Sequence, residues 1–410
     1  MDNNELKPII KVLGAGGAGC NAVAYMSHAE IKGVEFLGAN TDAQDLEKLL
    51  NMKRIQLGKE LTKGLGAGAD PKIGKKSAEE SEEEIRESLR GSDLLFLSAG
   101  MGGGTGTGAA PIIAEIAKEL GMLVVAVVTK PFDYERKKRM DQAESGIEKL
   151  REHVDALIVI PNDQLRDVIP LDTPLSEVFA KVDEVLHRAI QGIAEIVTRR
   201  GVINIDFNDL KTIMSNSGNA MIGMGVASGD NRAEDAAMEA INSPLLEEKN
   251  LSNAQRAIVN VSFGADSSLK DFETVGQVVK QITSEDAEVI MGTSVDEKLG
   301  DGIKVTIVAT DFKMEEDKPI VKEKIIPQVV EEVKEVVKDD LDGIPHFLKK
   351  DRSNVKVDLR KVESPIEETK IIEDEINQIE DQKEDLVIEK EQKIVEKPKA
   401  NIPHFLRKEI

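Results

Sequence analysis

Seven consecutive residues made only of glycine and threonine constrain this chain more than any other segment. Residues 102–108 follow a short apolar run at 94–98 and precede a helical pattern that begins near Pro111. Glycine at this density lets backbone N–H groups approach an anion closely, and the N-terminus of the following helix favours negative charge. No lysine follows the last glycine, which excludes the phosphate loop that ends in Gly-Lys-Ser/Thr. The segment therefore predicts a strand, a phosphate-binding turn and a helix.

Short apolar runs alternate with helical patterns up to about Pro161. The runs are often β-branched and are bounded by Gly, Asn or Pro, and they lie at 9–13, 34–39, 94–98, 123–128 and 156–160. Fully apolar strands separated by helices are typical of a parallel sheet that is covered on both faces. The first part of the chain is therefore predicted to be an α/β domain.

A long amphipathic helix and a second unit follow. Thr173 is a predicted N-cap, Pro174 suits the first helical position, and apolar residues recur at helical spacing until Gly201. Beyond it, strand-like runs at 257–263, 287–291 and 304–309 and two helical segments predict a second, smaller α/β domain.

Composition excludes several classes of protein. The single cysteine, Cys20, excludes an intrachain disulfide framework and fits a reducing cytosol. No apolar run approaches the roughly 18 residues of a membrane span, so we expect a cytoplasmic protein without direct membrane insertion. The net charge of -22 would repel phosphate backbones and the chain has no tryptophan, so no nucleic-acid partner is expected.

The composition changes after Phe312. Gly343 is the last glycine, and dense mixed charge predicts a disordered linker over 313–400. The motif Ile-Pro-His-Phe-Leu-Lys-Lys, from Ile344 to Lys350, recurs as Ile-Pro-His-Phe-Leu-Arg-Lys, from Ile402 to Lys408. An apolar cluster with a proline and terminal basic residues suits a segment that folds on a partner. We expect the second copy to be the main partner site and the first a weaker one that adds avidity.

A second glycine cluster, at 14–19, directly follows the first predicted strand. It has the dinucleotide-binding spacing, and Asp42 follows the second strand where a ribose-binding acid would lie. Alone, this cluster is compatible with NAD, FAD or another nucleotide. Two glycine turns on one sheet predict two walls around a polyphosphate. A third turn, at 64–69, would either add backbone donors or be a surface loop.

Together these motifs resemble the tubulin/FtsZ family. Residues 102–111 resemble the family signature, and the Gly-Gly-Ala-Gly-Cys-Asn run, the Asn40-Thr41-Asp42 run, the long helix and the Asn204-x-Asp206-x-x-Asp209 loop occur in the family's order. The resemblance covers residues 9–312, and the terminal motif resembles the family's C-terminal peptide, although that peptide is usually a single copy.

The resemblance implies a self-assembling GTPase that uses Mg²⁺ and forms head-to-tail filaments at the mid-cell division site of bacteria. Tail motifs would bind membrane-tethering and regulatory division proteins. The implied organisation is a GTP-binding domain, a central helix, a second domain with the catalytic loop, a linker and a terminal peptide, at 1–172, 173–201, 202–312, 313–400 and 401–410. The alternatives are a GTP-binding scaffold without hydrolysis and an NAD-dependent dehydrogenase.

The resemblance also assigns nucleotide contacts. The implied residues are Gly17, Ala18, Gly19, Cys20, Asn21, Asp42, Gly103, Gly104, Thr105, Gly106, Thr107, Glu135, Arg139, Asn162, Phe179 and Asp183. Guanine offers two N–H donors that one carboxylate accepts together, and adenine lacks this pair. The resemblance implies that Phe179 stacks on the base while Asp183 and Asn21 read its edge. Taken alone, the residues favour a core Phe179 and a solvated Asp183.

Glu135 and Arg139 also have two interpretations. Their i, i+4 spacing is typical of an exposed helical ion pair, whereas the resemblance places both beside the sugar and phosphates.

The acidic loop carries the implied catalytic residues Asn204, Asp206 and Asp209. Two carboxylates and an amide can polarise a water or hold a cation near a γ-phosphate, although helix capping by Asp206 or Asn208 fits equally well. No dedicated protein ligands for a metal are predicted. From Phe179 to Gly201 the helix spans roughly 33 Å. If Phe179 marks the base, the loop cannot readily reach the phosphates bound to its own copy. It can reach those of a neighbour stacked head to tail, as the resemblance implies.

Overall fold

A computed structural model describes residues 7–28, 31, 33–166, 169–170, 172–243, 254–264, 268–284 and 286–312. The predicted linker at 313–400, the terminal peptide at 401–410 and both copies of the repeated motif lie outside the described residues. Within the described part of the chain, no helix is long and apolar enough to cross a membrane.

Ten strands form the sheet of the described chain. Their bounds are β1 Ile10–Ala15, β2 Val34–Asn40, β3 Lys53–Gln56, β4 Leu94–Gly100, β5 Leu123–Lys130, β6 Ala156–Pro161, β7 Gly218–Ala227, β8 Ala254–Phe263, β9 Glu288–Val295 and β10 Ile303–Phe312. The strand order is β3-β2-β1-β4-β5-β6-β7-β10-β8-β9. Strands β1 to β6 pair in parallel, whereas β10 runs antiparallel to both β7 and β8. The predicted α/β class is confirmed.

Twelve α-helices are described. Their bounds are α1 Gly16–His28, α2 Ala43–Glu47, α3 Lys59–Thr62, α4 Pro71–Glu80, α5 Glu82–Leu89, α6 Thr105–Glu119, α7 Lys137–Arg151, α8 Asn162–Arg166, α9 Leu175–Thr198, α10 Phe207–Met214, α11 Arg232–Ile241 and α12 Leu269–Ile282. Helix α9 starts one residue later than predicted, because Pro174 rather than Thr173 is its N-cap and no side chain caps it.

The apolar strands separate two hydrophobic cores. Side chains alternate between the faces of a strand, so Val12 packs in the core under α1 and α9 while Leu13 packs in the core under α4 to α7. The same alternation places Phe96 and Leu95 in different cores. Burial on both faces explains why these strands read as continuous apolar runs.

Two strands were not predicted. Strand β7 contains three glycines, which mask its pattern, and Gly225 lets α11 approach closely, since a Cβ there would lie 2.1 Å from the Ala236 carbonyl oxygen. Strand β3 lies at the edge of the sheet and only Ile55 of its four residues is buried. Neither strand therefore has the continuous apolar run by which the other strands were predicted.

Strand β7 joins the two halves of the sheet through a short contact with β6. Only two residue pairs are in register, Ala156 with Gly218 and Leu157 with Asn219. The preceding residue, Asp155, strengthens this junction because its backbone oxygen accepts from Ser217 N at 2.8 Å and Gly218 N at 3.2 Å.

Candidate functional site

Both predicted phosphate turns lie at the carboxyl ends of parallel strands. Strand β1 passes directly into α1, and Gly16 at that point has a φ of +73°. A Cβ on Gly16 would lie 2.7 Å from Gly106 N, so the two turns touch and a side chain has no space there. The backbone N–H groups at the starts of α1 and α6 therefore face one region above the sheet.

A cavity of roughly 470 Å³ lies over these turns, a volume that suits a bound nucleotide. Its lining contains most of the residues predicted to contact the nucleotide: Gly17, Ala18, Asn21, Asp42, Gly103, Gly104, Thr105, Gly106, Glu135, Arg139, Asn162, Phe179 and Asp183. The folded chain brings these residues together from six separate segments of the sequence.

Three predicted contacts, Gly19, Cys20 and Thr107, do not line the cavity. The Cys20 thiol points toward Gly14 O at 3.5 Å and Ala39 O at 3.8 Å, and burial raises its pKa to about 12. Thr107 Oγ1 accepts from Gly102 N at 2.8 Å and so fixes the turn at 102–108. The side chains of Cys20 and Thr107 support the turns from behind.

Phe179 and Asp183 differ from what their residue types alone favour. The Phe179 ring is 45% exposed in the cavity and makes an edge contact with Phe132 at 6.2 Å. Burial raises the pKa of the Asp183 carboxyl to about 6, and none of the described residues donates a hydrogen bond to it. A half-exposed ring beside a partly desolvated acceptor is a chemically suitable site for a planar ligand with N–H donors.

Glu135 and Arg139 are paired with each other at the wall of the cavity, with Glu135 in the turn before α7 and Arg139 in the first turn of α7. They form an ion pair, with Arg139 Nε 3.0 Å from Glu135 Oε2, and both line the cavity. Glu135 Oε1 also accepts from Phe132 N at 2.9 Å, which fixes the turn before α7. The arrangement leaves the Arg139 guanidinium at the cavity wall, where it can approach an anion.

Asn40, Thr41 and Asp45 were not among the predicted nucleotide contacts, although they also line the cavity. Thr41 Oγ1 lies 2.6 Å from Thr105 Oγ1 and links the end of β2 to the turn at 102–108. Their place in the sequence, directly after the predicted second strand, could have indicated them, because ligands of open α/β sheets bind at the carboxyl ends of the strands. The third glycine turn also contributes to the lining, through Gly66.

The predicted catalytic residues lie elsewhere, at the far end of α9. Asn204, Asp206 and Asp209 do not line the cavity, and the 24 residues of α9 are about 36 Å long. Asp206 caps α10, its Oδ1 accepting from Asn208 N at 2.8 Å and Asp209 N at 2.9 Å. Asp209 Oδ2 accepts in return from Asp206 N at 3.0 Å.

Capping uses only part of this loop's chemistry. Among the described residues, nothing donates to Asp206 Oδ2 or to Asp209 Oδ1. Asn204 Oδ1 accepts from Gly201 N at 2.8 Å, which leaves the exposed amide nitrogen available. The loop can therefore offer two carboxylate oxygens and an amide to a group outside this copy of the chain.

Sequence comparison gives matches over both halves of the sheet. Residues 9–170 match the Tubulin/FtsZ family, GTPase domain, and residues 218–313 match the FtsZ family, C-terminal domain. The cell division protein FtsZ of Buchnera aphidicola subsp. Acyrthosiphon pisum (strain APS) is 52% identical over 317 residues, which are 77% of this chain and 82% of that protein. The cell division protein FtsZ of Coxiella burnetii is 54% identical over 301 residues, 73% of this chain and 78% of that protein.

Solved structures give the same result. An empty FtsZ dimer from M. jannaschii is 43% identical, has a TM-score of 0.71 and is matched over 75% of this chain and 89% of that one. CetZ2 from Haloferax volcanii, solved as a GTPγS-bound protofilament, is 20% identical with a TM-score of 0.63, over 73% of this chain and 92% of that one. The second likeness shows the fold alone.

Proposed function

The chain belongs to the Tubulin/FtsZ family and is a cell-division GTPase that polymerises, and we propose that it hydrolyses GTP where two copies meet head to tail. The observation that carries this proposal is the separation of the cavity from the loop at 204–209. A helix about 36 Å long lies between them, so one copy cannot bring its own Asp209 to its own nucleotide. A second copy stacked on the first can do so, and such a contact repeats into a filament.

Guanine recognition would fall to α9 and α1. The Phe179 ring would stack on the base, and the Asp183 carboxylate would accept from the guanine N1–H and N2–H groups. Asn21, on the neighbouring wall of the cavity, would bind the same edge of the base. Adenine has no such pair of donors and would leave the partly desolvated Asp183 carboxylate without a partner, which selects against ATP.

The triphosphate would lie across the turns at 14–19 and 102–108. Backbone N–H groups at the N-termini of α1 and α6 would bind its oxygens, and Arg139 would balance part of its charge. Mg²⁺ favours one or two carboxylates together with phosphate oxygens and water. Asp42, in the wall beside these turns, would offer the ion the carboxylate oxygen that does not cap α2, whereas both oxygens of Asp45 already bind Lys48 and Asn40. The ion would neutralise phosphate charge.

Catalysis would begin when a second copy arrives. Its Asn204, Asp206 and Asp209 would orient a water molecule for attack on the γ-phosphate, through the oxygens and the amide that capping leaves unused. The bound triphosphate fills the contact between copies, and hydrolysis removes part of that contact. Turnover and filament disassembly would therefore be coupled.

The segments after Phe312 would connect the filament to other proteins. We place the main partner site at 402–408 and a weaker one at 344–350, for membrane-tethering and regulatory division proteins at mid-cell. Peptides of each copy, measured separately against such a protein, test the assignment. Binding by the first copy alone would reverse it.

Two alternatives make different predictions. An NAD-dependent dehydrogenase would need a side chain that moves a proton while the cofactor accepts the hydride. It would not need the acidic loop at 204–209. A GTP-binding scaffold without hydrolysis would use the cavity but not Asp206 or Asp209. Release of phosphate from GTP separates the proposed GTPase from both alternatives, and equilibrium binding of GTP separates the scaffold from the dehydrogenase.

Substitutions at Asp209 test the proposed catalytic role. Asp209→Ala is expected to retain GTP binding and to lose turnover. Asp209→Asn keeps an oxygen that can accept from Asp206 N, so it removes the negative charge without removing the capping hydrogen bond. It should also lose most of the turnover. Asn208→Ala, an exposed neighbour, is the matched control. Loss of GTP binding in Asp209→Ala would instead place Asp209 in the pocket of its own chain.

A further inference from the structure

The loop that follows α9 is held against β9 by backbone hydrogen bonds and by the side chain of one residue, Thr293. Thr293, almost fully buried, accepts through its Oγ1 from two consecutive backbone N–H groups, Val202 N at 3.0 Å and Ile203 N at 2.9 Å. Its own backbone N–H donates to Ile203 O at 2.7 Å. Three hydrogen bonds thus converge on one residue that lies about 90 positions further along the chain.

Backbone contacts on both sides of Thr293 bring the loop close to the strand. A Cβ on Gly201 would lie 1.8 Å from Thr293 O, and a Cβ on Gly292 would lie 2.4 Å from Ile205 Cγ1. Val295 N donates to Arg200 O at 3.2 Å. The loop therefore lies along β9 and pairs with its backbone, and the Thr293 hydroxyl is an additional acceptor for the loop.

Side-chain packing cannot hold this segment in place. Val202 is 89% exposed and Ile203 is 45% exposed, and the next buried side chain is Ile205. Asn204 lies between Ile203 and Ile205, so its position depends on the backbone of Val202 and Ile203. The Asn204 Oδ1 accepts from Gly201 N within the same loop. Hydrogen bonds to Thr293 are therefore the principal restraint on the start of the catalytic loop.

We propose that Thr293 is a positioning residue for GTP hydrolysis, whose hydroxyl oxygen holds the loop so that Asn204 and the two acids reach the next copy's nucleotide. This inference rests on the catalytic role proposed for that loop. Valine has nearly the same shape but no oxygen, so it would leave two N–H groups without their acceptor and release the loop. A displacement of about 1 Å in a catalytic group can lower turnover on the order of a hundredfold.

The test compares Thr293→Val with Thr293→Ser, which keeps the hydroxyl. Turnover is measured at saturating GTP and at protein concentrations well above the assembly threshold. Thr293→Val should lower kcat by about ten- to a hundredfold. Its GTP affinity should equal that of the unmodified chain, because the cavity lies at the other end of α9. Assembly with a non-hydrolysable GTP analogue is measured for each variant, so that kcat is compared only at concentrations where the copies are fully associated. Thr293→Ser should stay within about threefold of the unmodified chain.

Thr306→Val is the matched control. Thr306 is buried in β10, and its Oγ1 makes no hydrogen bond to any described residue, so the same chemical change there should leave kcat unaltered. Unchanged turnover in Thr293→Val, or equal losses in Thr293→Val and Thr293→Ser, would overturn the proposal.

Two further comparisons make the result decisive. If Thr293→Val does not bind GTP, Thr293→Ala and Thr293→Ser replace it, since they differ only in the hydroxyl oxygen. Equal turnover in these two variants would overturn the role. Asp209→Ala separates this inference from the proposed function. Turnover retained in Asp209→Ala contradicts the catalytic loop itself, whereas turnover lost there but retained in Thr293→Val contradicts only the positioning role.

Discussion

Asp183 lies one helical turn beyond Phe179 on α9, and both side chains face the same cavity. The ring is half-exposed, while burial raises the pKa of the carboxyl to about 6. A flat apolar surface next to a carboxylate that accepts from no described residue suits a planar base with N–H donors, such as guanine.

The first prediction concerns base selectivity. Asp183→Asn replaces an oxygen acceptor by an NH₂ group that faces guanine's own donors, so GTP affinity should fall by about 10- to 100-fold. Discrimination between GTP and ATP should fall with it. Equilibrium binding of both nucleotides measures the change. Glu184→Gln, at the adjacent position but outside the cavity lining, is the control. Undiminished discrimination in Asp183→Asn would contradict the assigned role.

The raised pKa of Asp183 predicts a pH dependence of binding. In the proposed role the ionised carboxyl binds guanine, so protons should compete with GTP as the pH falls through about 6. Between pH 7.5 and 5.5 the affinity should fall about fourfold through this group. Titrations of GTP across this range measure the slope, which Asp183→Asn should remove. A slope that persists unchanged in the variant would assign the effect to another group.

The same group predicts a stability change in the nucleotide-free protein. The folded-state pKa lies above the ordinary value of 3.8, so the folded state binds more protons between about pH 4 and 6 and loses stability as the pH rises through that window. At pH 7 the full penalty is present. Asp183→Asn should therefore raise the free energy of unfolding by about 1–2 kcal/mol at pH 7, after allowance for solvent screening. At pH 4 the gain should largely disappear. Urea unfolding at both pH values measures it.

Arg136 predicts a stabilising substitution. Its φ of 75° and ψ of 160° belong to a backbone region that essentially only glycine occupies without strain, and its side chain is exposed. Arg136→Gly should raise the free energy of unfolding by about 1 kcal/mol, since relief of strain exceeds the added freedom of the unfolded chain. Arg136→Ala removes the same charge but keeps the strain, so it should give no gain. Equal thermal stabilities for these two variants would contradict this account.

Substitutions of Asp155 and of Lys118, near the junction between β6 and β7, are expected to lower the free energy of unfolding by different amounts. Its buried carboxylate accepts from Lys118 Nζ at 2.8 Å and from Val124 N at 2.9 Å. Asp155→Ala leaves the backbone N–H groups of Val124 and Asn216 without their acceptor and should cost about 3 kcal/mol of unfolding free energy. Lys118→Ala should cost less, about 1 kcal/mol, because Asp155 keeps both backbone donors and Lys118 is partly exposed. Denaturant unfolding of both variants would reveal a reversed order.

Sequence reasoning reached the parts of the fold that depend on local pattern. Apolar runs predicted β1, β4 and β5, because strands buried on both faces require them. Strand β7 was missed because glycines interrupt its apolar pattern, and one of them, Gly225, permits the close approach of α11, a contact with another element. The edge strand β3 has too little buried surface to produce a pattern.

The candidate site shows the same limit. The glycine turns were found because several of their residues, such as Gly16 against Gly106, leave no space for a side chain. Phe179 and Asp183 came from the family resemblance, since their residue types alone favoured roles opposite to the exposure that the fold gives them. Thr293 could not be found, because its two loop contacts form only when β9 lies beside the end of α9.

The central claim is that the cavity of one copy and the loop of another form each active site. GTP hydrolysis measured against protein concentration tests it most directly. The account predicts that activity per molecule is near zero below a threshold, rises steeply as copies associate and then levels off, while GTP binding persists on both sides of the threshold. Activity per molecule that stays constant from far below that concentration to far above it would contradict the account.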